Sequence, residues 1–155
     1  MNLWTDGGCC GHNPSPVGLV WAWALVDTDK LIRCDWGKLT VEEIGMPTAS
    51  NNFAELYAAV RGLESLPYPF EGKWHTDSLT TLRRLSGGSK FNGIPGWLKR
   101  RATDLWRKFH YKGVLVAGHP TKNELREGKA KRNGHPVSKW NVLVDELCNR
   151  AKEAT

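Results

Sequence analysis

The stretch that decides the fold is GLVWAWALV, residues 18–26, where tryptophan alternates with alanine and no charged residue intervenes. Side chains at every second position of an extended strand lie on one face, so Trp21, Trp23 and Leu25 share a face. The run predicts a β-strand.

Turns and short apolar runs flank this strand on both sides. Residues 2–6 are predicted to form a short strand ending at Asp6, followed by a turn-rich loop over 7–16. After a turn at 27–29, residues 31–39 form a third strand. Strands joined by such short connections are expected to pair as an antiparallel meander.

Helices and strands alternate in the rest of the chain. An apolar stripe predicts a helix that Asn51 and Asn52 open, and prolines end it after about Leu66. The later elements predicted are a strand over 72–77, a helix capped by Ser78 to about 85, a helix over 95–110, a strand over 114–117 and a helix capped by Ser138.

This order predicts an α/β protein with a mixed five-stranded sheet, three antiparallel strands followed by two parallel ones. Strands one, four and five are joined through helices, so they should be parallel with right-handed crossovers and helices on both faces. With 155 residues, we expect a single domain over 1–155.

Composition and charge narrow the class of protein. The net charge is +6 and the pI about 9.3, which suits a polyanionic partner. No apolar run is long enough to span a bilayer and no secretory signal is evident, so we expect a cytoplasmic protein with no membrane contact.

Four cysteines without paired metal-site spacing indicate neither a disulfide framework nor zinc. Since no obligate protein partner is evident, we expect a monomer.

Four carboxylates fall at positions that could meet. Asp6 and Asp77 are predicted at the carboxyl ends of neighbouring strands, where open α/β sheets bind ligands. Glu55 and Asp145 lie on helices, at the border between apolar and polar faces.

Such a cluster would repel itself unless neutralised, and Mg²⁺ prefers oxygen ligands. Two ions sharing carboxylates can hydrolyse a phosphodiester. Each acid also has an ordinary interpretation: Asp6 as a turn residue, Glu55 as a helix-dipole charge, Asp77 as part of a turn and Asp145 as a solvated side chain.

Five motifs in order give the chain a resemblance to the type 1 ribonuclease H family along nearly its whole length. They are Thr5-Asp6-Gly7 with its Asn-Pro loop, Asn51-Asn52-Phe53-Ala54-Glu55-Leu56, Thr76-Asp77-Ser78, Val116-Ala117-Gly118-His119 and Asn141-x-x-x-Asp145-Glu146-Leu147. The resemblance implies a ribonuclease H-like fold and an endoribonuclease that hydrolyses the RNA strand of RNA–DNA hybrids with two Mg²⁺ ions, Mn²⁺ being possible.

The resemblance also assigns roles to single residues. It implies that Asp6, Glu55, Asp77 and Asp145 bind the metals, with Asp6 between the two ions. His119 would assist proton transfer or product departure. Contacts to the hybrid are expected from Asn13, Asn52 and Ser78, since amides and hydroxyls can reach 2′-hydroxyls, which separate RNA from DNA.

Two assignments stay open. His135, in Gly134-His135-Pro136, is closer in sequence to Asp145, whereas His119 directly follows the fifth strand, and we favour His119 on that context. The hybrid could be bound by Lys99, Arg100 and Arg101 or by the basic stretch over 122–132. Both groups could instead be solvated surface.

Two other functions fit the same fold. A related nuclease could use the same carboxylates on a four-way DNA junction. A non-catalytic hybrid-binding module is disfavoured, because clustered negative charge weakens the binding of a phosphate. Fold alone does not decide among these functions.

Overall fold

The computed structural model describes residues 1–66, 71–86, 90–108, 110–116, 118, 131–132, 135–136 and 138–154. Seven strands and five helices lie within them. The strands are β1 (Asn2–Cys9), β2 (Gly18–Asp27), β3 (Lys30–Thr40), β4 (Glu71–Thr76), β5 (His110–Leu115), β6 (Lys131–Arg132) and β7 (His135–Pro136). The helices are α1 (Val41–Ile44), α2 (Asn51–Glu64), α3 (Leu79–Leu85), α4 (Gly96–Lys108) and α5 (Lys139–Glu153).

The main sheet has five strands in the order β3-β2-β1-β4-β5. The pairs β1/β2 and β2/β3 are antiparallel, while β1/β4 and β4/β5 are parallel. This arrangement confirms the predicted mixed sheet. It makes β1 the strand at which the sheet changes from antiparallel to parallel.

Each face of the sheet carries its own apolar core. On one face, Trp21, Trp23 and Leu25 of β2 pack with the buried stripe of α2 and with α4. On the other, the small residues Ala22 and Ala24 pack against α5. Alternation of large and small side chains along β2 therefore places α2 and α5 on opposite faces of the sheet.

Serine side chains fix where three helices begin. Ser50 accepts a hydrogen bond from the backbone N–H of Phe53 and caps α2. Ser78 and Ser138 cap α3 and α5 in the same way, as the sequence predicts. Because α3 starts directly after β4, its cap lies beside the strand end that carries Asp77.

Several boundaries differ from the predicted ones. The strand β1 continues three residues past Asp6 to Cys9, and β5 begins at His110 rather than at residue 114. The third predicted helix ends at Lys108, two residues earlier than expected. Neither the short helix α1 nor the two-residue pairing of β6 with β7 was predicted. Among the described helices, none is both long and apolar enough to cross a membrane.

Candidate active site

Three carboxylates from separate parts of the chain converge at one edge of the sheet. One ligand oxygen from each of Asp6, Glu55 and Asp77 lies within 4.8 Å of the other two. The three residues come from β1, α2 and the turn after β4. Folding thus brings together side chains that are 22 to 71 positions apart in the sequence.

Asp6 lies where β1 and β4 part. The parallel pairing of these strands ends at Trp4 and His75, whereas β1 remains paired with β2 to Cys9. Asp6 as a whole residue is only 4% exposed. The sequence-based prediction that the strand ends at Asp6 was wrong, but Asp6 still lies just beyond the last parallel pair.

A neighbouring hydrogen bond holds this part of β1 to β4. The indole Nε1 of Trp74 donates to the hydroxyl of Thr5 at 2.9 Å, and both side chains are fully buried. The backbone that carries Asp6 is therefore fixed by the residue before it.

Glu55 reaches the site because α2 packs closely on β1. A Cβ atom on Gly7 would lie 2.3 Å from the backbone oxygen of Ala54 and 2.8 Å from the nitrogen of Glu55. Only glycine leaves room for this approach. The absence of a side chain at position 7 thus permits the contact that places Glu55 beside Asp6.

Asp77 directly follows β4 and precedes the cap of α3. Gly118 lies against it, since a Cβ atom on Gly118 would be 3.4 Å from Asp77 Oδ2. The chain segment after β5 therefore returns to the carboxylate site at the residue before His119.

Asp145 joins the site from α5. Together with Asp6 and Glu55, it lines an open pocket of about 240 Å³. Asp145 lies outside the close group formed by the other three carboxylates, yet its charge acts on Asp6 and raises the pKa of that carboxyl. Three of the four predicted acids therefore line this pocket, and the fourth, Asp77, lies close to two of them.

Burial and mutual repulsion oppose ionisation of the central pair. Burial raises the pKa of Asp6 well above its usual range, and the charge of Asp77 raises it further. Burial likewise raises the pKa of Glu55, with added repulsion from Asp6 and Asp77. Ionising the cluster without a counter-cation is costly for both reasons.

Two of the three residues predicted to contact substrate, Asn13 and Ser78, have structural partners. Asn13 Oδ1 accepts from the backbone N–H of Asn51 at 3.0 Å, which ties the first loop to the start of α2. Ser78 Oγ accepts from the N–H of Thr81 as a helix cap. Asn52 is exposed in the first turn of α2. Binding roles for Asn13, Asn52 and Ser78 stay predictions.

The structure does not describe the side chain of either candidate histidine, nor most of the predicted basic stretch over 122–132. His119 lies outside the described residues, and the side chain of His135 does as well. The same holds for residues 122–130.

On α4, Arg101 pairs with Glu64 and lies over the ring of Trp97, so its guanidinium group already has partners within the protein.

Sequence reasoning missed three residues that line the pocket: Asn51, Cys148 and Lys152. Helical spacing could have revealed two of them, since Cys148 and Lys152 follow Asp145 by three and seven residues and so share its face of α5. Asn51 Oδ1 accepts from the N–H of Cys9 at 3.0 Å, a long-range contact without a sequence signal.

Solved structures with this architecture define the class of protein. The chain superimposes on a ribonuclease H1 from Halobacterium salinarum NRC-1 with a TM-score of 0.65 and 21% identity, covering 98% of this chain and 96% of that one. A second match is LC11-RNase H1, solved with an RNA/DNA hybrid, with a TM-score of 0.62, 19% identity and the same coverages. The fold is that of the ribonuclease H class.

Sequence relatives extend the likeness from fold to family. A Legionella pneumophila (strain Lens) ribonuclease H is 35% identical over 156 residues, 96% of this chain and 94% of the relative. One from Rhodospirillum rubrum is 33% identical over 166 residues, covering 97% and 81%. No protein-family model matches. At this identity and coverage, the chain belongs to the ribonuclease H family.

Proposed function

We propose that this protein is an endoribonuclease that hydrolyses the RNA strand of RNA–DNA hybrids with two divalent metal ions. The observation that carries the proposal is the convergence of Asp6, Glu55 and Asp77 within 4.8 Å. A buried cluster of acids is unfavourable by itself, and binding of cations would offset that cost.

The donor set fits a hard divalent cation. All candidate ligands are carboxylate oxygens, the type that Mg²⁺ and Mn²⁺ prefer. Glu55 Oε2 is buried, and no donor among the described residues reaches it. Asp6, Glu55, Asp77 and Asp145 would hold the two ions. When bound, such ions lower the pKa of a water nucleophile and stabilise charge on the phosphate.

The protein's own groups have separate tasks in this proposal. Asn13, Asn52 and Ser78 contact the hybrid, where an amide or hydroxyl can bond to a 2′-hydroxyl. His119 moves a proton near the cleaved phosphate or assists product departure. Gly118 supports this role, because it lies beside Asp77 and His119 is the next residue in the sequence.

Two kinds of observation support an RNA–DNA hybrid as the substrate. The relatives at 30–35% identity are named ribonuclease H, and LC11-RNase H1 was solved with an RNA/DNA hybrid. The net charge of +6 suits a polyanion. We also propose that the protein is cytoplasmic and acts as a monomer. Light scattering of the purified protein measures its oligomeric state.

A cleavage assay with competing substrates tests the proposed function. The protein is incubated with Mg²⁺ or Mn²⁺ and a labelled RNA–DNA hybrid, beside single-stranded RNA, duplex RNA, duplex DNA and a four-way DNA junction. We expect cuts in the RNA strand of the hybrid alone. Preferred cutting of the junction would support the alternative nuclease. A folded protein that binds the hybrid but cuts nothing would support a binding module.

A further inference from the structure

A lysine shares the pocket with the carboxylates. Lys152, in the last turn of α5, lines the same open pocket as Asp6, Glu55 and Asp145. It is the single cationic side chain among the eight described residues that line this pocket. A cation in a pocket that must accept a polyanion is a candidate phosphate ligand.

Two contacts show how α5 lies along β1. The thiol of Cys148 donates to the backbone oxygen of Asp6 at 3.4 Å. One turn later, Lys152 lies over Gly8, where an added Cβ atom would be 3.6 Å from Nζ. The helix and the strand thus run side by side in the same direction, and Lys152 lies further along β1 than the carboxylates.

Distance along the helix separates Lys152 from the metal ligands. Seven residues of α-helix rise by about 10 Å between Asp145 and Lys152. Among the described residues, Lys152 forms no ion pair with a carboxylate. Its charge acts instead on two neutral thiols, and it lowers the pKa of Cys9 and of Cys148 against the larger raising effect of burial. No carboxylate in the described part of the chain therefore neutralises this ammonium group.

Gly8 leaves space above this ammonium group. Position 8 has no side chain, and the neighbouring Asn51 has its oxygen occupied by the N–H of Cys9. A nucleic-acid strand that passes the carboxylates can therefore continue over Gly8 toward Lys152, because position 8 places no side chain in its path.

We propose that Lys152 and the open surface at Gly8 form a phosphate-binding subsite for the RNA strand, one that holds a phosphate adjacent to the one being cleaved. The inference rests on the proposed function, since it assumes that the cut strand crosses the carboxylates. Lys152 binds the strand by its charge and takes no part in bond cleavage.

An ordinary structural role predicts something different. A lysine in the last helical turn also interacts favourably with the helix dipole. Loss of that interaction would lower the melting temperature and leave substrate affinity and its salt dependence unchanged. The two roles are therefore separable by measurement.

The test compares Lys152→Gln and Lys152→Arg with a matched control, Lys30→Gln. Lys30 is an exposed lysine at the start of β3, which is the end of the strand remote from the site. Steady-state cleavage of an RNA–DNA hybrid gives KM and kcat over a range of salt concentrations. Fluorescence anisotropy with a labelled hybrid in chelator gives affinity without cleavage.

For Lys152→Gln we expect KM and the dissociation constant to rise about fivefold, with kcat nearly unchanged. The slope of log affinity against log salt should become shallower by about 0.7–0.9, the loss of one phosphate contact. Arginine should restore both values, and Lys30→Gln should match the wild type.

Two outcomes would overturn the inference. Unchanged KM and salt slope in Lys152→Gln, with wild-type cleavage of the hybrid, would refute the subsite and leave the proposed function intact. A fall in kcat at constant KM would also refute it, because that result assigns Lys152 to the chemical step. If the wild type cuts no hybrid, the proposed function fails first.

Discussion

The thiol of Cys148 donates a hydrogen bond to the backbone oxygen of Asp6 at 3.4 Å, and both residues are buried. This contact joins the last helix to the first strand across 142 positions of sequence. Asp145, three residues earlier on the same helix, is thereby held near Asp6. The fourth carboxylate of the site thus depends on packing between the two ends of the chain.

Gly7→Ala should reduce both activity and stability. The added methyl group would lie 2.3 Å from the backbone oxygen of Ala54, so α2 must move away from β1 and carry Glu55 with it. We expect a loss of about 1–3 kcal/mol in the free energy of unfolding, measured by urea denaturation, and a large loss of hybrid cleavage.

Gly96→Ala serves as its control. Among the described residues, the new Cβ atom there would meet only the far end of the Arg100 side chain, at 3.4 Å. Its stability and activity should stay near those of the wild type. A fully active Gly7→Ala protein would show that the close packing of α2 on β1 does not position Glu55.

Trp74→Phe should destabilise the protein by about 1–3 kcal/mol, because the hydroxyl of Thr5 would be left buried without its donor. Thermal or urea unfolding measures the change. Adding Thr5→Val should recover part of the loss, since removing both polar partners is less costly than removing one. Trp106→Phe, at a side chain 54% exposed, should change stability by less than about 0.5 kcal/mol. Strictly additive effects of the Trp74 and Thr5 changes would argue against this hydrogen bond.

Stability without metal should fall as pH rises. The pKa values of Asp6 and Glu55 are raised in the folded state, chiefly by burial, so the folded protein holds these protons more tightly than the unfolded chain. Their contribution to stability is therefore lost as pH rises from their ordinary range through the raised pKa values.

Melting curves in chelator between pH 5 and pH 8 measure this effect. Asp6→Asn should flatten the dependence and raise the melting temperature near pH 8 by at least about 2 °C. Asp104→Asn, at an exposed acid of α4, should follow the wild-type curve. Equal pH dependence in all three proteins would contradict the buried charge cluster.

Much of the architecture could be predicted from the sequence because its signals are local. Alternation of Trp and Ala in β2 sets two faces of a sheet, and serine caps fix the helix starts. The strand β5 was predicted to begin only at Val114, after Gly113, whereas it begins at His110. In the fold, a Cβ atom at Gly113 would lie 2.3 Å from Leu82 Cδ1, so this glycine makes room for α3.

The site was predictable only in part, because only some of its residues are marked by local sequence signals. The motifs around Asp6, Glu55 and Asp77 identified residues that do converge. That β1 continues beyond Asp6 was missed, because Gly7 and Gly8 suggest a turn, whereas close packing of α2 on β1 requires glycine at position 7. Lys152 was missed, although helical spacing places it on the same face of α5 as Asp145, because a lysine in a last helical turn is also typical of a helix without any site.

The two histidine candidates make opposite predictions. If His119 moves a proton near the cleaved phosphate, His119→Ala should lower kcat by about a hundredfold, while His135→Ala should leave it unchanged. Single-turnover and steady-state cleavage rates, measured side by side, separate an effect on chemistry from one on product release. The reverse pattern would assign the role to His135.

Asp6→Asn tests the central claim most directly, namely that four carboxylates hold the ions that cleave the hybrid. Cleavage with Mg²⁺ and hybrid affinity in chelator are measured on the same folded protein, with Asp104→Asn as control. We predict that cleavage is abolished while affinity is at least equal to that of the wild type, because asparagine is a weaker metal ligand than aspartate and the basic surface is unchanged. Cleavage by Asp6→Asn at the wild-type rate would contradict the claim.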